Sequence, residues 1–455
     1  MDFLNKTVIV AGMGKSGIAS ADLLLKCGAN VILYDGNEKL NRDELIGKLD
    51  QSLVKDNVET VLGDIPEEII NKSDLMVISP GIPVDAPFVN KVRDAGIDIW
   101  GEVELAFSVS KGKLIAITGT NGKTTTTSLV GEIVANYFKK SFVVGNIGTP
   151  YTVSALETDD DTVTVAEISS FQLETIHDFK PDVSAVLNIT PDHLNRHYTM
   201  ENYIAAKMSI TKNQDSNQVC VLNYEDEILR DKAKKLKNRV VFFSSRRELE
   251  DGICLVGDRI VSKENGAVTD IIGKDESNLV GIHNVENIMA AIALCLNMNV
   301  PVEIIRDTIK SFKAVEHRIE YVETINDVIY YNDSKGTNTD ASVKAIEAMT
   351  RPTILIAGGY DKKVSFDEWI DSFAGKIKLL VLMGATADQI EETATKHGFN
   401  TIVRVNSLDE AVCVSKKEAV PGDAVLLSPA CASWDMFDSY EQRGNLFKEY
   451  VRENN

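Results

Sequence analysis

The sequence predicts an α/β protein of three domains, each built on a largely parallel sheet. Three observations carry this. The chain has 455 residues, about three times an ordinary domain of roughly 100–200 residues. Short β-branched runs alternate with helical periodicity along most of its length, the pattern of parallel strands covered by helices. Glycine-rich turns directly follow several of these runs, where ligands gather at the carboxyl ends of strands in open α/β sheets.

Composition narrows the functional classes. An apolar fraction of 44% and a charged fraction of 25% are those of a globular chain. No apolar run approaches the roughly 20 residues that span a bilayer. Met-Asp-Phe-Leu-Asn-Lys at the start lacks the basic-then-apolar pattern of a signal peptide. Cys27, Cys220, Cys254, Cys295, Cys413 and Cys431 form no Cys-x-x-Cys pair, so neither a zinc site nor a disulfide framework is indicated. A cytoplasmic protein is expected. A net charge of −20 without a basic run argues against nucleic acid and membrane insertion. Any anionic substrate must be met by isolated Lys and Arg side chains and by backbone N–H groups.

The first domain is expected over residues 1–110. Thr7–Ala11, Val31–Tyr34 and Leu75–Ser79 read as buried parallel strands. Gly12-Met-Gly-Lys-Ser-Gly17 follows the first strand, and Asp35 follows the second. Turn glycines and an acid about 20 residues on form the dinucleotide fingerprint of a Rossmann-like domain. The motif supports the fold more strongly than it selects a ligand, since any nucleotide diphosphate would suit it. Ser79-Pro-Gly-Ile82 borders the same crevice.

The central domain is expected over residues 111–313. Its strands are Leu114–Thr118, Phe142–Gly145, Val163–Glu167, Val183–Leu187 and Val219–Asn223. Residues Arg246 to Asp275 alternate over short stretches and predict a small antiparallel excursion. Gly119-Thr120-Asn121-Gly122-Lys123-Thr124-Thr125 sits between a strand and a helical pattern, the setting of an ATPase-like phosphate-binding loop. Glycines let the backbone curl so that N–H groups point at phosphate oxygens, and the helix N-terminus adds partial positive charge. Lys123 would reach the outer phosphates, and the Thr124 hydroxyl would bind magnesium. The loop is two residues shorter than the general pattern. A plain glycine turn with a solvated lysine is the alternative, disfavoured by four consecutive threonines that form helix poorly.

Further polar residues follow other strands. Glu167 ends one and could face the phosphates, although a lone strand-end carboxylate more often bonds a turn. His193, in Asn188-Ile-Thr-Pro-Asp-His193, comes after the next. Lys207 lies in a helical stretch, Tyr203–Ile210, where a lysine ordinarily snorkels to water. In His283-Asn-Val-Glu-Asn287, the two asparagines share a helix face. Either they hold a base or phosphate or they cap the helix, and capping is favoured for Asn284.

The third domain is expected over residues 314–455, with strands at Ile354–Ala357, Leu379–Met383 and Ala424–Leu427. Three polar loops punctuate it: Asn332-Asp-Ser-Lys-Gly-Thr-Asn338, Gly358-Gly-Tyr-Asp-Lys-Lys363 and Ser428-Pro-Ala-Cys-Ala-Ser-Trp-Asp435. Each could be only a loop. Together, at three strand ends, they predict one shared site.

These motifs, with His317-Arg318, resemble those of the Mur ligase family of peptidoglycan synthesis, and the resemblance covers essentially the whole chain. The third-domain motifs resemble the branch that adds D-glutamate to UDP-N-acetylmuramoyl-L-alanine. The resemblance implies a UDP-binding Rossmann-like domain, a P-loop ATPase-like central domain and a dinucleotide-fold-like C-terminal domain. It implies ATP-dependent activation of a carboxylate as an acyl phosphate, with two magnesium ions, and small-molecule partners for a monomer. Gly119 to Thr125, Asn287, Arg318, Asp333 and Lys335 would bind ATP. Thr124, Glu167, His193 and a carbamylated Lys207 would hold the metal. Lys15, Ser16, Asp35, Ser79, Gly81 and Asn146 would hold the UDP-sugar, and Thr337, Lys362, Ser433 and Tyr440 the D-glutamate. His317 would lie near the reacting carboxyl, and it joins Lys123, His193, Lys207 and Lys335 as a catalytic residue. Trp434 and Tyr440 stand where the family often has leucine and phenylalanine. A folylpolyglutamate-type ligase would leave the first domain unexplained, and a nicotinamide oxidoreductase would leave the loop at Lys123 unexplained. A non-catalytic nucleotide-binding regulator is the remaining alternative.

Overall fold

The computed structural model describes residues 2–313, 315–361 and 363–453. It contains three sheets. The first joins β1 (Thr7–Ala11), β2 (Asn30–Asp35), β3 (Val58–Leu62), β4 (Leu75–Ile78) and β5 (Asp98–Gly101) in the order β3-β2-β1-β4-β5. Every pairing is parallel. The order reverses at β1, so a crevice opens at its carboxyl end beside Gly12–Gly17.

The central sheet has nine strands: β6 (Lys113–Thr118), β7 (Ser141–Gly145), β8 (Val163–Glu167), β9 (Val183–Val186), β10 (Val219–Asn223), β11 (Arg239–Ser244), β12 (Gly252–Val256), β13 (Arg259–Glu264) and β14 (Ala267–Gly273). Their order is β14-β13-β12-β11-β10-β9-β6-β8-β7. Pairing is parallel up to β12 and antiparallel from there to β14. The excursion expected over 246–275 is therefore an antiparallel extension of this sheet. β6 lies between β8 and β9, so the turns after all three strands emerge side by side.

The third sheet contains β15 (Glu320–Ile325), β16 (Val328–Asn332), β17 (Thr353–Ala357), β18 (Ile377–Leu382), β19 (Ile402–Arg404) and β20 (Ala424–Leu427), ordered β15-β16-β20-β17-β18-β19. Only β15 runs antiparallel to its neighbour. The three polar loops leave β16, β20 and β17, which are adjacent and parallel.

Two compact units result: Met1–Lys274 with Glu286–Lys310, and Asp275–Val285 with Ser311–Asn455. In the first unit one continuous apolar cluster includes Val8, Leu33 and Val77 of the first sheet and Leu114, Ala166 and Val186 of the central sheet. The helix Glu102–Val109 joins these sheets, and its first turn is anchored by two buried carboxylates. Glu104 accepts from three successive backbone N–H groups, His177 at 2.8 Å, Asp178 at 2.8 Å and Phe179 at 3.1 Å. Glu102 accepts from Thr152 N at 2.9 Å, and complete burial raises its pKa. In the second unit, apolar clusters cover both faces of the third sheet.

Cys220, Cys254, Cys295 and Cys431 are buried free thiols, the role expected of most of the cysteines. Among the described residues no helix is long and apolar enough to cross a membrane.

Candidate active site

The turn after β6 is built for close approach to a ligand. Gly119 and Gly122 have φ of +151° and +84°, values that side-chain-bearing residues avoid. Gly122 immediately precedes the helix Lys123–Tyr137. A Cβ there would stand 2.2 Å from Asn287 Oδ1, so this position excludes a side chain on both counts. Thr124 to Thr127 are buried in the first helical turns. Lys123 folds back over the loop and donates to the carbonyls of Gly119 and Thr120, both at 2.9 Å.

The segment after β9 braces this turn. Thr120 N donates to Asn188 O at 2.9 Å, and Asn121 N donates to Asn188 Oδ1 at 2.8 Å. Thr190 N donates to Thr120 Oγ1 at 3.0 Å. Asn188, which sequence reading passed over, thus fixes the loop through both backbone and side chain.

Glu167 is buried at the end of β8. Its Oε1 accepts from Asn146 Nδ2 at 2.8 Å, whereas its enclosed Oε2 meets no partner among the described residues. A buried carboxylate oxygen left bare is costly, and a cation beside Thr124 and Glu167 would satisfy it. Asn146, expected at the UDP-sugar, orients Glu167 through its Nδ2.

Lys207, on the helix Met200–Met208, does not snorkel: it is 2% exposed. Its Nζ donates to Gly119 O at 2.7 Å and lies 4.7 Å from the centre of the Tyr203 ring. Tyr203 in turn bonds Thr120 Oγ1 at 3.0 Å. Burial, and then the Lys123 cation, hold the Lys207 ammonium well below the usual lysine range, against the opposing charge of Asp192. His193 is half exposed, with φ +52° and its ring 4.9 Å from that of Phe171. Nearby His197 Nδ1 sits 3.4 Å from Glu174 Oε1. Burial and the Arg196 charge bring its pKa down to about 4, so that contact is not an ion pair. Among the described residues no three His, Cys, Asp or Glu side chains form a metal-binding group. A cation here would need the Thr124 hydroxyl and a modified Lys207 as well.

At the first sheet, Lys15 and Ser16 open the helix Lys15–Lys26. Ser79 Oγ donates to Gly12 O at 2.9 Å, and Asp35 accepts from Asn37 N at 3.0 Å. Gly81 is exposed with open space where a side chain would be. These five occupy the carboxyl ends of β1, β2 and β4.

Asn284 is the residue expected to cap its helix. The helix begins at Ile282, so Asn284 lies inside its first turn, and its side-chain amide donates back to Val280 O at 2.8 Å. It ties down a carbonyl before the helix.

The third sheet gathers a second polar group. Asp333 is buried beyond β16; its Oδ2 accepts from Ser428 Oγ at 2.7 Å, and burial pushes its pKa up to about 7. Lys335 Nζ lies 5.3 Å from the centre of the Tyr440 ring, and Lys335 N donates to His317 O at 3.0 Å. Thr337 N donates to Lys335 O at 2.9 Å, and Ser433 is buried. Arg318 immediately follows His317, at the mouth of β15. Lys362 lies outside the described residues. Arg443, unmarked in the sequence, is 1% exposed and links two of the polar loops by donating to Ser334 O at 2.8 Å and Cys431 O at 3.3 Å.

Residues 6–101 match the family model of the Mur ligase MurD-like N-terminal domain, 117–295 that of the Mur ligase middle domain, and 317–431 that of the Mur ligase glutamate ligase domain. Over 451 residues the chain is 55% identical to the UDP-N-acetylmuramoylalanine--D-glutamate ligase of Lachnospira eligens, with 99% of each chain covered. The chain belongs to the Mur ligase family. This Mur ligase is also 46% identical over 452 residues to the enzyme of the same name from Clostridioides difficile, again with 99% of each chain covered. Its fold matches the UDP-N-acetylmuramate-alanine ligase MurC of Thermotoga maritima, with TM-score 0.61 and 17% identity over 99% of this chain and 100% of that one. The MurF ligase of Thermotoga maritima in complex with ADP matches with TM-score 0.61 and 16% identity over 99% and 96%. Three Mur ligase domains on mostly parallel sheets are thus the architecture of this chain.

Proposed function

We propose that this Mur ligase joins D-glutamate to UDP-N-acetylmuramoyl-L-alanine with ATP, releasing ADP and phosphate, as a monomer in the cytoplasmic stage of peptidoglycan synthesis. The observation that carries the reading is full-length identity of 55% to a ligase of that name. The side-chain chemistry supports it.

A carboxylate resists attack by an amine because its charge repels the nucleophile and oxide leaves poorly. Phosphoryl transfer to the substrate carboxylate converts the leaving group to phosphate, and the neutral amine of D-glutamate then attacks the acyl carbon. Backbone N–H groups of residues 119–125 and the Lys123 ammonium would hold the ATP phosphates and offset charge in the transfer. Thr124 and Glu167 would hold one magnesium ion; His193 and Lys207, as its carbamate, would hold a second. When bound, the ions would screen the phosphate charge. The low proton affinity of Lys207 leaves it as the neutral amine that adds to CO2. Addition to CO2 and loss of a proton then turn that amine into an anionic oxygen ligand. Asn287, Arg318, Asp333 and Lys335 would orient ATP. Thr337, Lys362, Ser433 and Tyr440 would receive D-glutamate, and Lys15, Ser16, Asp35, Ser79, Gly81 and Asn146 the UDP-sugar.

Phosphate release with ATP, magnesium and UDP-N-acetylmuramoyl-L-alanine tests the reading, with D-glutamate, L-glutamate or L-lysine added in turn. Turnover with D-glutamate alone is expected. Turnover with another amino acid would keep the ligase chemistry and reject the substrate. Silence from folded, ATP-binding protein would reject the ligase itself.

A further inference from the structure

His317 is held by a set of contacts that leaves its ring one protonation state. The residue is 4% exposed with φ +65°. Its Nδ1 lies 2.9 Å from Asn332 Nδ2. The same Nδ2 is 3.0 Å from Glu320 Oε2 and 3.3 Å from Gly444 O, while Asn332 Oδ1 accepts from Ser334 N at 3.1 Å. Turning the amide over would set its oxygen against a carboxylate, a carbonyl and an imidazole nitrogen, and would leave Ser334 N facing an N–H group. The amide orientation is therefore fixed, with Nδ2 the donor. Nδ2 carries two N–H groups, and its two shorter contacts take one each, His317 Nδ1 at 2.9 Å and Glu320 Oε2 at 3.0 Å, so a proton on Nδ1 would place two donors face to face.

The charges around the ring do not reverse this. Glu320, Glu316 and Glu441 favour an imidazolium, and Lys448 opposes it. Lys448 Nζ lies 3.2 Å from both Glu316 Oε1 and Glu320 Oε1, which offsets the two nearer carboxylates. Glu320 Oε2 is also occupied by the backbone N–H of His317 at 2.9 Å. The backbone carbonyl of His317 accepts from Lys335 N at 3.0 Å, and the Tyr440 ring packs 5.9 Å from the imidazole. With burial the largest influence, the His317 pKa is lowered.

Gly444 completes the arrangement. It lies inside the helix Tyr440–Glu453, where glycine is disfavoured and no unusual φ calls for it. A Cβ at that position would stand 2.2 Å from His317 Nδ1 and 3.1 Å from Asn332 Nδ2. The glycine makes room for the histidine–asparagine pair.

We propose that Asn332 and Gly444 are positioning residues that keep the His317 ring neutral with its single proton on Nε2, so that it serves ligation as a hydrogen-bond donor to the reacting acyl oxygens and not as a base toward the incoming amine. The proposal rests on the reading above that His317 faces the reacting carboxyl. No proton leaves the ring at any step: Nε2–H donates as charge builds on the acyl oxygen in the tetrahedral intermediate, which collapses by breaking the C–O bond to phosphate, and the departing phosphate takes the proton lost from the amine nitrogen.

Long-range proton–nitrogen correlation on full-length protein labelled with 15N-histidine tests this, with the His317 signals assigned by their loss in His317→Gln. The expected spectrum has an unprotonated Nδ1 and a protonated Nε2, unchanged between about pH 6 and 9. In Asn332→Asp, a carboxylate facing Nδ1 should draw the proton there, raise the ring pKa and lower kcat roughly 10²-fold with the KM for ATP little changed. Gly444→Ala should shift the same ring signals and lower kcat by a smaller factor. A wild-type ring protonated on Nδ1, or titrating near the ordinary histidine value of about 6.5, overturns the proposal. So does an Asn332→Asp enzyme whose proton has moved without loss of kcat. Should the variants not fold, the wild-type spectrum still decides the tautomer. That spectrum needs no substrate, so failure of D-glutamate ligation would count against the proposed function and leave the tautomer assignment standing.

Discussion

Lys207 Nζ donates to the carbonyl oxygen of Gly119 at 2.7 Å, placing the amine of one helix on the first residue of the phosphate loop. Burial and the nearby Lys123 charge keep that amine short of protons. The neutral fraction, which alone reacts with CO2, grows as pH rises. Stripping CO2 from the buffer should slow phosphate release, and bicarbonate should restore it faster at about pH 8 than at about pH 6.5. Lys207→Ala should cost at least roughly 10²-fold in turnover. A variant that turns over at the wild-type rate would remove Lys207 from the chemistry.

Gly122→Ala should abolish ATP binding. The new Cβ meets Asn287 Oδ1 at 2.2 Å while the backbone is held at φ +84°. Strain of about 1–3 kcal/mol is expected at such a position. Calorimetric titration with ATP, alongside thermal unfolding, separates loss of the loop from loss of the fold.

Glu104 anchors the joint between the first two sheets, and three backbone N–H groups depend on its carboxylate. Glu104→Ala leaves those donors without it, and charge-assisted bonds of this kind contribute about 1.5–3 kcal/mol each when intact. A loss of about 3–5 kcal/mol in urea unfolding is expected, with no direct effect on the third sheet.

Asp333 gives a pH dependence of opposite sign to a salt-bridged carboxylate. Its folded pKa is raised from 3.8 to about 7, so between those values the folded chain binds more protons than the unfolded one. Stability should therefore fall as pH rises through that window. Asp333→Asn should flatten this component and raise the melting temperature at about pH 8 relative to wild type, while weakening ATP binding. A variant whose melting temperature keeps the wild-type pH slope would show that Asp333 does not carry it.

Much of the geometry of the glycine loop was legible because it is local. Residues 119–125 announce a strand, a glycine turn and a helix within a dozen positions, and β6 and the helix Lys123–Tyr137 flank the turn as that order requires. The edge strands β3 and β5 were not legible, since one is half exposed and the other only four residues long. Lys207 carries no mark of burial in its own sequence, because the tertiary neighbours that exclude water, Tyr203 and the loop at Gly119, decide it. Asn284 shows an ambiguity that sequence alone leaves open, since a side-chain amide near a helix start can serve a carbonyl, as it does at Val280, as well as an N–H. Asn332 stood inside a conspicuous motif, yet its partner Gly444 lies 112 positions away and nothing local links them.

The apolar cluster shared by the first and central sheets bears on how this chain can be recombined. A chimera that exchanged residues 1–110 for those of a relative would sever a continuous interior and juxtapose two half-cores that had never been selected together. The second compact unit takes in Asp275–Val285 as well as Ser311–Asn455, and an exchange of both stretches together leaves that interior whole. Transplanting those two stretches together should therefore yield folded chimeras more often than transplanting residues 1–110.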